Sequence, residues 1–258
     1  MLQDKQEQAN TEKGKVCRYS AAELLKMLTY DVLCRVHKNS GIPVYTGAYD
    51  LNLGFIRTCV NIPHIWTDEQ INPDVFNDIE YIFFTDEYGK KQAFAWWCTT
   101  DPGLISILSP HNPKGCAILK EGYYRKGLAW GKHKGIDCLV NREELGCLPL
   151  TVIRDFDRDH NLDYCSVREE TGYFGIDNHP CRRDKVVTIV GPFSEGCPSF
   201  PDILNNNTLG VLVHKQESYG HGKQVSFLLS KQNVFEQKVT GEEQSNLKNA
   251  TTRSNHGR

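Results

Sequence analysis

Neither sign of charge is in excess in this 258-residue chain: thirty Lys and Arg face thirty-two Asp and Glu. That balance argues against a nucleic acid or an anionic membrane surface as the main partner. Long apolar runs are also missing. The stretch 93–98 is among the longest and has six residues, far below the roughly 20 that a membrane span needs, so no integral membrane segment is expected. The first fifteen residues, MLQDKQEQANTEKGK, lack the apolar segment of a secretory signal. Synthesis is therefore expected to end in the cytoplasm, unless another machinery exports the product. No Cys-x-x-Cys pair occurs among the ten cysteines (17, 34, 59, 98, 116, 138, 147, 165, 181 and 197), which weakens a zinc-ribbon reading. With no export signal, reduced thiols acting as small buried apolar residues are expected. There is no internal repeat.

What is present is organised in stages. Residues 1–19 are polar and expected to be disordered. Ser20-Ala21-Ala22-Glu23 has the form of a capping box, and Leu24, Leu25, Leu28, Val32 and Leu33 recur at helical spacing to about Lys38. A loop-rich extended stretch follows, so residues 20–78 read as a helical and extended N-terminal segment. From 79 the pattern becomes that of short strands: a hairpin over 79–84 and 92–98, then 117–119, 123–128, 138–140, 150–154, 172–176, 185–190, 211–214 and a last strand at 225–229. A mainly β sandwich or barrel-like domain over 79–229 is expected. The tail, 230–258, is polar and expected to be disordered.

The chemistry concentrates late. Fifteen residues after His179 comes Ser194-Glu195-Gly196-Cys197. A thiol beside an imidazole becomes a nucleophile, and Gly196 permits a tight turn with room for a substrate. The amides of Gly196 and Cys197 are candidate oxyanion donors. On this reading Cys197 should have a depressed pKa and outcompete the other thiols for a small alkylating agent. Asp177 shares a strand face with His179 and is a candidate to orient it, a task a backbone carbonyl performs equally well. Ser194 serves either the turn or the thiolate.

In series, these segments resemble the L,D-transpeptidase (YkuD-like) catalytic domain. The resemblance runs from the hairpin 79–98 through Asn112-Pro113-Lys114-Gly115-Cys116-Ala117-Ile118 and Gly175-Ile176-Asp177-Asn178-His179 to Ser194-Glu195-Gly196-Cys197. Tyr49-Asp50-Leu51-Asn52-Leu53, the Gly131–Gly135 segment and Val152-Ile153-Arg154-Asp155 are similar to segments of a divergent phage and bacterial branch. The resemblance covers roughly 79–213. It implies an L,D-transpeptidase-like fold and a cysteine transpeptidase or peptidase: Cys197 takes an acyl group from a peptidoglycan stem peptide, with His179 as base, and passes it to an amine or to water. The family often has His where Glu195 stands. Ser199 occupies the position of a substrate-positioning Arg or Asn, and Pro198 directly follows the cysteine.

Three further clusters have two readings each. Lys132, His133 and Lys134, within Gly-Lys-His-Lys-Gly, form either an exposed basic loop or a reader of a substrate carboxylate. The carboxylates of 155–163 alternate as in a calcium loop, yet His160 fills the glycine slot and Ser166 the twelfth position, and a solvated turn fits better. His179, Cys181 and Cys197 lack a fourth metal ligand at good spacing. No metal or other cofactor is expected. The rival to an enzyme is a non-catalytic module of the same fold that holds a cell-wall peptide or a virion partner.

Overall fold

Ser20 opens the first helix as its sequence requires. In the computed structural model, which describes residues 17–58, 74–159, 162, 164 and 168–240, its side chain accepts the Glu23 N–H and the Glu23 carboxylate accepts the Ser20 N–H. The single helix expected to about Lys38 is two. α1 (Ala21–Met27) ends at Leu28, which leaves helical backbone, and Thr29 caps α2 (Tyr30–Asn39) by accepting the Val32 N–H at 3.4 Å.

The extended stretch after α2 contains β1 (Asn52–Arg57), buried along its whole length. It pairs antiparallel with β2 (Asp78–Thr85), Leu53 opposite Ile82. β2 in turn pairs with β3 (Lys91–Cys98) in the expected hairpin, whose turn Asp86 fastens by accepting the Tyr88 and Lys90 N–H groups. A short helix, α3 (Leu104–Leu108), precedes β4 (Cys116–Leu119), β5 (Gly122–His133) and β6 (Ile136–Val140). Then come β7 (Leu150–Asp155), β8 (Glu169–Gly172), β9 (His179–Pro180), β10 (Ser199–Phe200), α4 (Leu204–Ser218), β11 (Gln224–Lys231) and α5 (Gln232–Thr240).

The fold is mainly β, with a curled mixed sheet ordered β3-β2-β1-β11-β5-β6. Among the described residues its one parallel strand pair is β1 with β11. Side sheets β4-β7-β8 and β9-β10 complete it. The period-2 alternation of β2 divides the core. Tyr81 and Phe83 face α1, α2 and Phe235 of α5, whereas Ile82 and Phe84 join Leu53, Phe55, Phe227, Phe200 and Leu209 on the other side.

Several expectations are corrected. The extended part of the 20–78 segment includes β1, which lies inside the main sheet between β2 and β11. The 211–214 strand is part of α4, where buried Leu209, Leu212, Val213 and Gln216 recur at helical spacing. No strand forms at 185–190, where Val186 and Ile189 are exposed; the strand expected at 172–176 ends at Gly172. The last strand of the chain forms where expected, as β11, and it lies inside the main sheet. The tail is not disordered from 230: α5 runs to Thr240, and its Glu236 accepts the Arg18 N–H at 2.5 Å. Residues 1–16 and 241–258, also expected to be disordered, lie outside the described residues. Among the described residues, no helix is long and apolar enough to cross a membrane.

Candidate functional site

The Ser194–Cys197 turn is clamped from within and without. The buried Ser194 hydroxyl reaches the carbonyls of Asp101 and Cys197, both at 2.9 Å, and accepts the Gly196 N–H at 3.1 Å. Ser194 thus fastens the turn and does not touch the thiol. Gly196 has φ +122°, and a Cβ there would sit 1.7 Å from the Ala117 carbonyl oxygen, so only glycine fits. Of the two candidate oxyanion amides, that of Gly196 is spent on Ser194. The Cys197 N–H makes no hydrogen bond among the described residues. Glu195 turns its carboxylate to His111, accepting the backbone N–H at 2.9 Å and lying 2.8 Å from ring Nδ1.

Cys197 and His179 line one cleft of about 470 Å³. β9 delivers the histidine and pairs it with Ser199 of β10. Its Nδ1 lies 3.0 Å from the Pro180 carbonyl, so Nδ1 carries the proton and Nε2 is the basic nitrogen. Nε2 lies 3.4 Å from Ser199 Oγ. Cys197 is buried, 8% exposed as a residue. Its sulfur donates to the Gly175 carbonyl at 3.3 Å and accepts the Asp177 N–H at 3.4 Å. No hydrogen bond joins His179 to Cys197 at rest.

Burial pushes the Cys197 thiol up to about 12, and the nearby Asp177 carboxylate adds to the rise. Burial takes the His179 imidazole down to about 4, with the His133 ring adding to the drop. The resting pair is a neutral thiol and a neutral imidazole, which corrects the expectation of a depressed thiol. Alkylation by iodoacetamide at pH 7.5 is accordingly expected to reach partly exposed Cys34 well before Cys197. Peptide mapping by mass spectrometry checks this; prior labelling of Cys197 would contradict the neutral resting state.

Asp177 does not orient His179, since a backbone carbonyl does. Its fully buried carboxylate lies 2.7 Å from His133 Nδ1 and takes both Arg142 Nη atoms at 2.7 Å and the Asn141 N–H at 3.0 Å. Burial alone would raise its pKa, but the His133 and Arg142 hydrogen bonds outweigh burial and hold it below the usual value. His133 stacks on His179, ring centroids 4.4 Å apart and planes 5° from parallel. It is therefore a cleft residue, at the end of β5 rather than in an exposed loop. Lys132 points elsewhere, to Asp137 at 2.6 Å, and does not line the cleft; Lys134 does. Ser199 is buried between His179 and the Cys197 carbonyl and does not line the cleft.

Arg154, Tyr173, Phe174 and Phe193 complete much of the wall. Arg154 is tied to Glu170 at 3.1 Å and to the Gly115 carbonyl at 3.2 Å. Arg142 escapes sequence reasoning because it meets Asp177 only through the fold. Among the described residues, no group of three His, Cys, Asp or Glu could hold a metal ion. His160, Asn161 and Asp163 of the calcium-loop candidate lie outside them. The eight described cysteines are free thiols.

Beneath the histidine strand, buried Glu80 takes Trp96 Nε1 at 2.8 Å and Asn178 Nδ2 at 2.5 Å. Burial lifts its carboxyl to about 8 against those two hydrogen bonds. Once protonated, Glu80 can donate to the Asn178 amide oxygen, a buried atom without another partner, if that amide is turned over. A carboxyl whose folded pKa is raised contributes stability that is full below about 4.5 and is lost as pH rises through about 8. Glu80→Gln reproduces the neutral form. Its urea midpoint should therefore fall less than the wild type's between pH 5 and 8; parallel curves would show that Glu80 is ionised throughout.

Compared with family models, with curated proteins and with solved structures, the chain matches none.

Proposed function

We propose that the cleft carries out cysteine-dependent acyl transfer or hydrolysis on a peptidoglycan stem peptide, on a domain of L,D-transpeptidase type. Cys197 is the nucleophile and His179 Nε2 the base. The observation that carries this reading is the convergence of Cys197 and His179, from separate parts of the chain, on one cleft, with Nδ1 anchored and Nε2 basic. Because both groups rest neutral, the thiol proton moves to the imidazole as sulfur attacks the carbonyl, rather than beforehand. The Cys197 N–H is the remaining amide for the oxyanion. Substrate carboxylates suit a wall that carries His111, Lys134 and Arg154, and stem-peptide side chains can lie against Tyr173, Phe174 and Phe193.

One observation favours a second reading, a binding module. The thiol is nearly enclosed and makes no hydrogen bond to His179. Incubation with purified muropeptides separates the two. Acyl transfer predicts new peptide products from wild-type protein and a loss on the order of 10⁴-fold or more in Cys197→Ala. Binding of muropeptides without product, equal in both proteins, would establish the module.

A further inference from the structure

We propose that His133 is a second proton-transfer residue of the cleft, fixed by Asp177 so that its Nε2 serves the group that resolves the acyl-cysteine while His179 serves the thiol. The proposal rests on the acyl-transfer reading above. Its basis is the contrast between two stacked imidazoles. His179 is 4% exposed and has both ring nitrogens near polar partners. His133 is 18% exposed on the cleft wall, and its Nδ1 is held 2.7 Å from a fully buried carboxylate. Its Nε2 makes no hydrogen bond among the described residues.

A carboxylate bound to one imidazole nitrogen fixes the tautomer, leaves the other nitrogen basic and stabilises the imidazolium once formed. Arg142 grips the same carboxylate from the other side with two hydrogen bonds at 2.7 Å, which keeps Asp177 aligned and ionised. Two imidazolium rings with centroids 4.4 Å apart would repel, so the stack favours one proton at a time.

The steps balance on that basis. In the first, Cys197 gives its proton to His179 Nε2, sulfur bonds to the acyl carbon, the carbon–nitrogen bond breaks, and His179 returns the proton to the leaving nitrogen. In the second, water or an acceptor amine gives a proton to His133 Nε2 as its oxygen or nitrogen bonds to the acyl carbon. The carbon–sulfur bond then breaks and His133 returns the proton to the departing sulfur. Both rings end neutral, and no oxidant or reductant is needed.

The full chain, with His133→Asn and His179→Asn, tests this with purified muropeptides. Asparagine keeps a donor near the Nδ1 position and removes the basic nitrogen. Quenched samples are followed by intact mass, and product by chromatography. His133→Asn should form the acyl adduct at close to the wild-type rate, accumulate it, and turn over about 100-fold more slowly or worse; His179→Asn should form none. Adduct in the wild type with unchanged turnover in His133→Asn overturns the proposal alone, as does loss of adduct formation in both variants. No adduct in the wild type overturns the acyl-transfer reading and the proposal with it. Nitrogen-15 NMR of the unliganded protein adds an arm independent of turnover. The neutral His133 ring should be the Nδ1–H tautomer, and the opposite tautomer would overturn the assignment.

Discussion

Gly196→Ala is expected to destabilise the protein by about 3–5 kcal/mol and to cost the proposed acyl transfer about 100-fold or more. Two effects add at this position. The backbone sits at φ +122°, which L side chains rarely adopt, and the new Cβ would fall 1.7 Å from the Ala117 carbonyl oxygen. That oxygen belongs to β4, so the obstacle is backbone and cannot rotate away. The turn would have to lift off β4, carrying Cys197 with it and loosening the Ala117 N–H to Glu195 carbonyl bond, already long at 3.4 Å. A shift of about 1 Å at a reacting atom is enough for the activity loss. Gly175→Ala is the control, because Gly175 also has positive φ, +73°, but nothing within 4 Å of a Cβ. It should cost only the backbone strain, about 1 kcal/mol. Urea denaturation of the pair checks the difference; equal losses would mean that contact with Ala117 does not hold the turn.

Arg57→Met is expected to cost about 3–5 kcal/mol, because it leaves buried carboxylates without their cation. Arg57 is 1% exposed at the end of β1. Its guanidinium meets Asp101 at 3.0 Å and Glu121 at 2.7 Å, and it donates to the carbonyls of Thr100 and Leu119. Asp78 lies in the same cluster, accepting the Thr58 and Thr100 N–H groups at 2.8 and 2.7 Å. The cluster also supports the site. Residues 99–103 meet the Ser194–Cys197 turn through the Asp101 carbonyl and through the Gly103 N–H, which donates to the Ser194 carbonyl at 2.9 Å. Loss of stability and loss of turnover should therefore appear together in this variant. Thermal melts with turnover assays test the link, and a destabilised protein of wild-type turnover would show the cluster to be structural only.

What the sequence made legible was local. The Ser20 capping box, the 79–98 hairpin and most short strands follow from periodicity and turn chemistry that a few adjacent residues set. β1 and α4 are not legible from local pattern because their assignment depends on distant partners. β1 is buried by β2 on one side and β11 on the other, and α4 shows its helical spacing only when Leu209 and Gln216 are read together with 211–214. At the site, the type and order of His179 and Cys197 were visible, and so was the need for Gly196. The partner of Asp177 was not. The choice between His179 and His133 is made by pairing β5 with β6 and by Arg142, none of which is near Asp177 in sequence. Nor does a Ser-x-Gly-Cys string report burial, and burial makes Cys197 a neutral thiol at rest.

The most direct test is to expose the full-length protein to purified muropeptides, quench in acid and map its cysteines by mass spectrometry. The account predicts an acyl thioester on Cys197 and on no other cysteine, absent from His179→Asn and discharged when an acceptor amine is added. An unmodified Cys197 in protein that binds muropeptides, or an acyl group carried by a different cysteine, would contradict it.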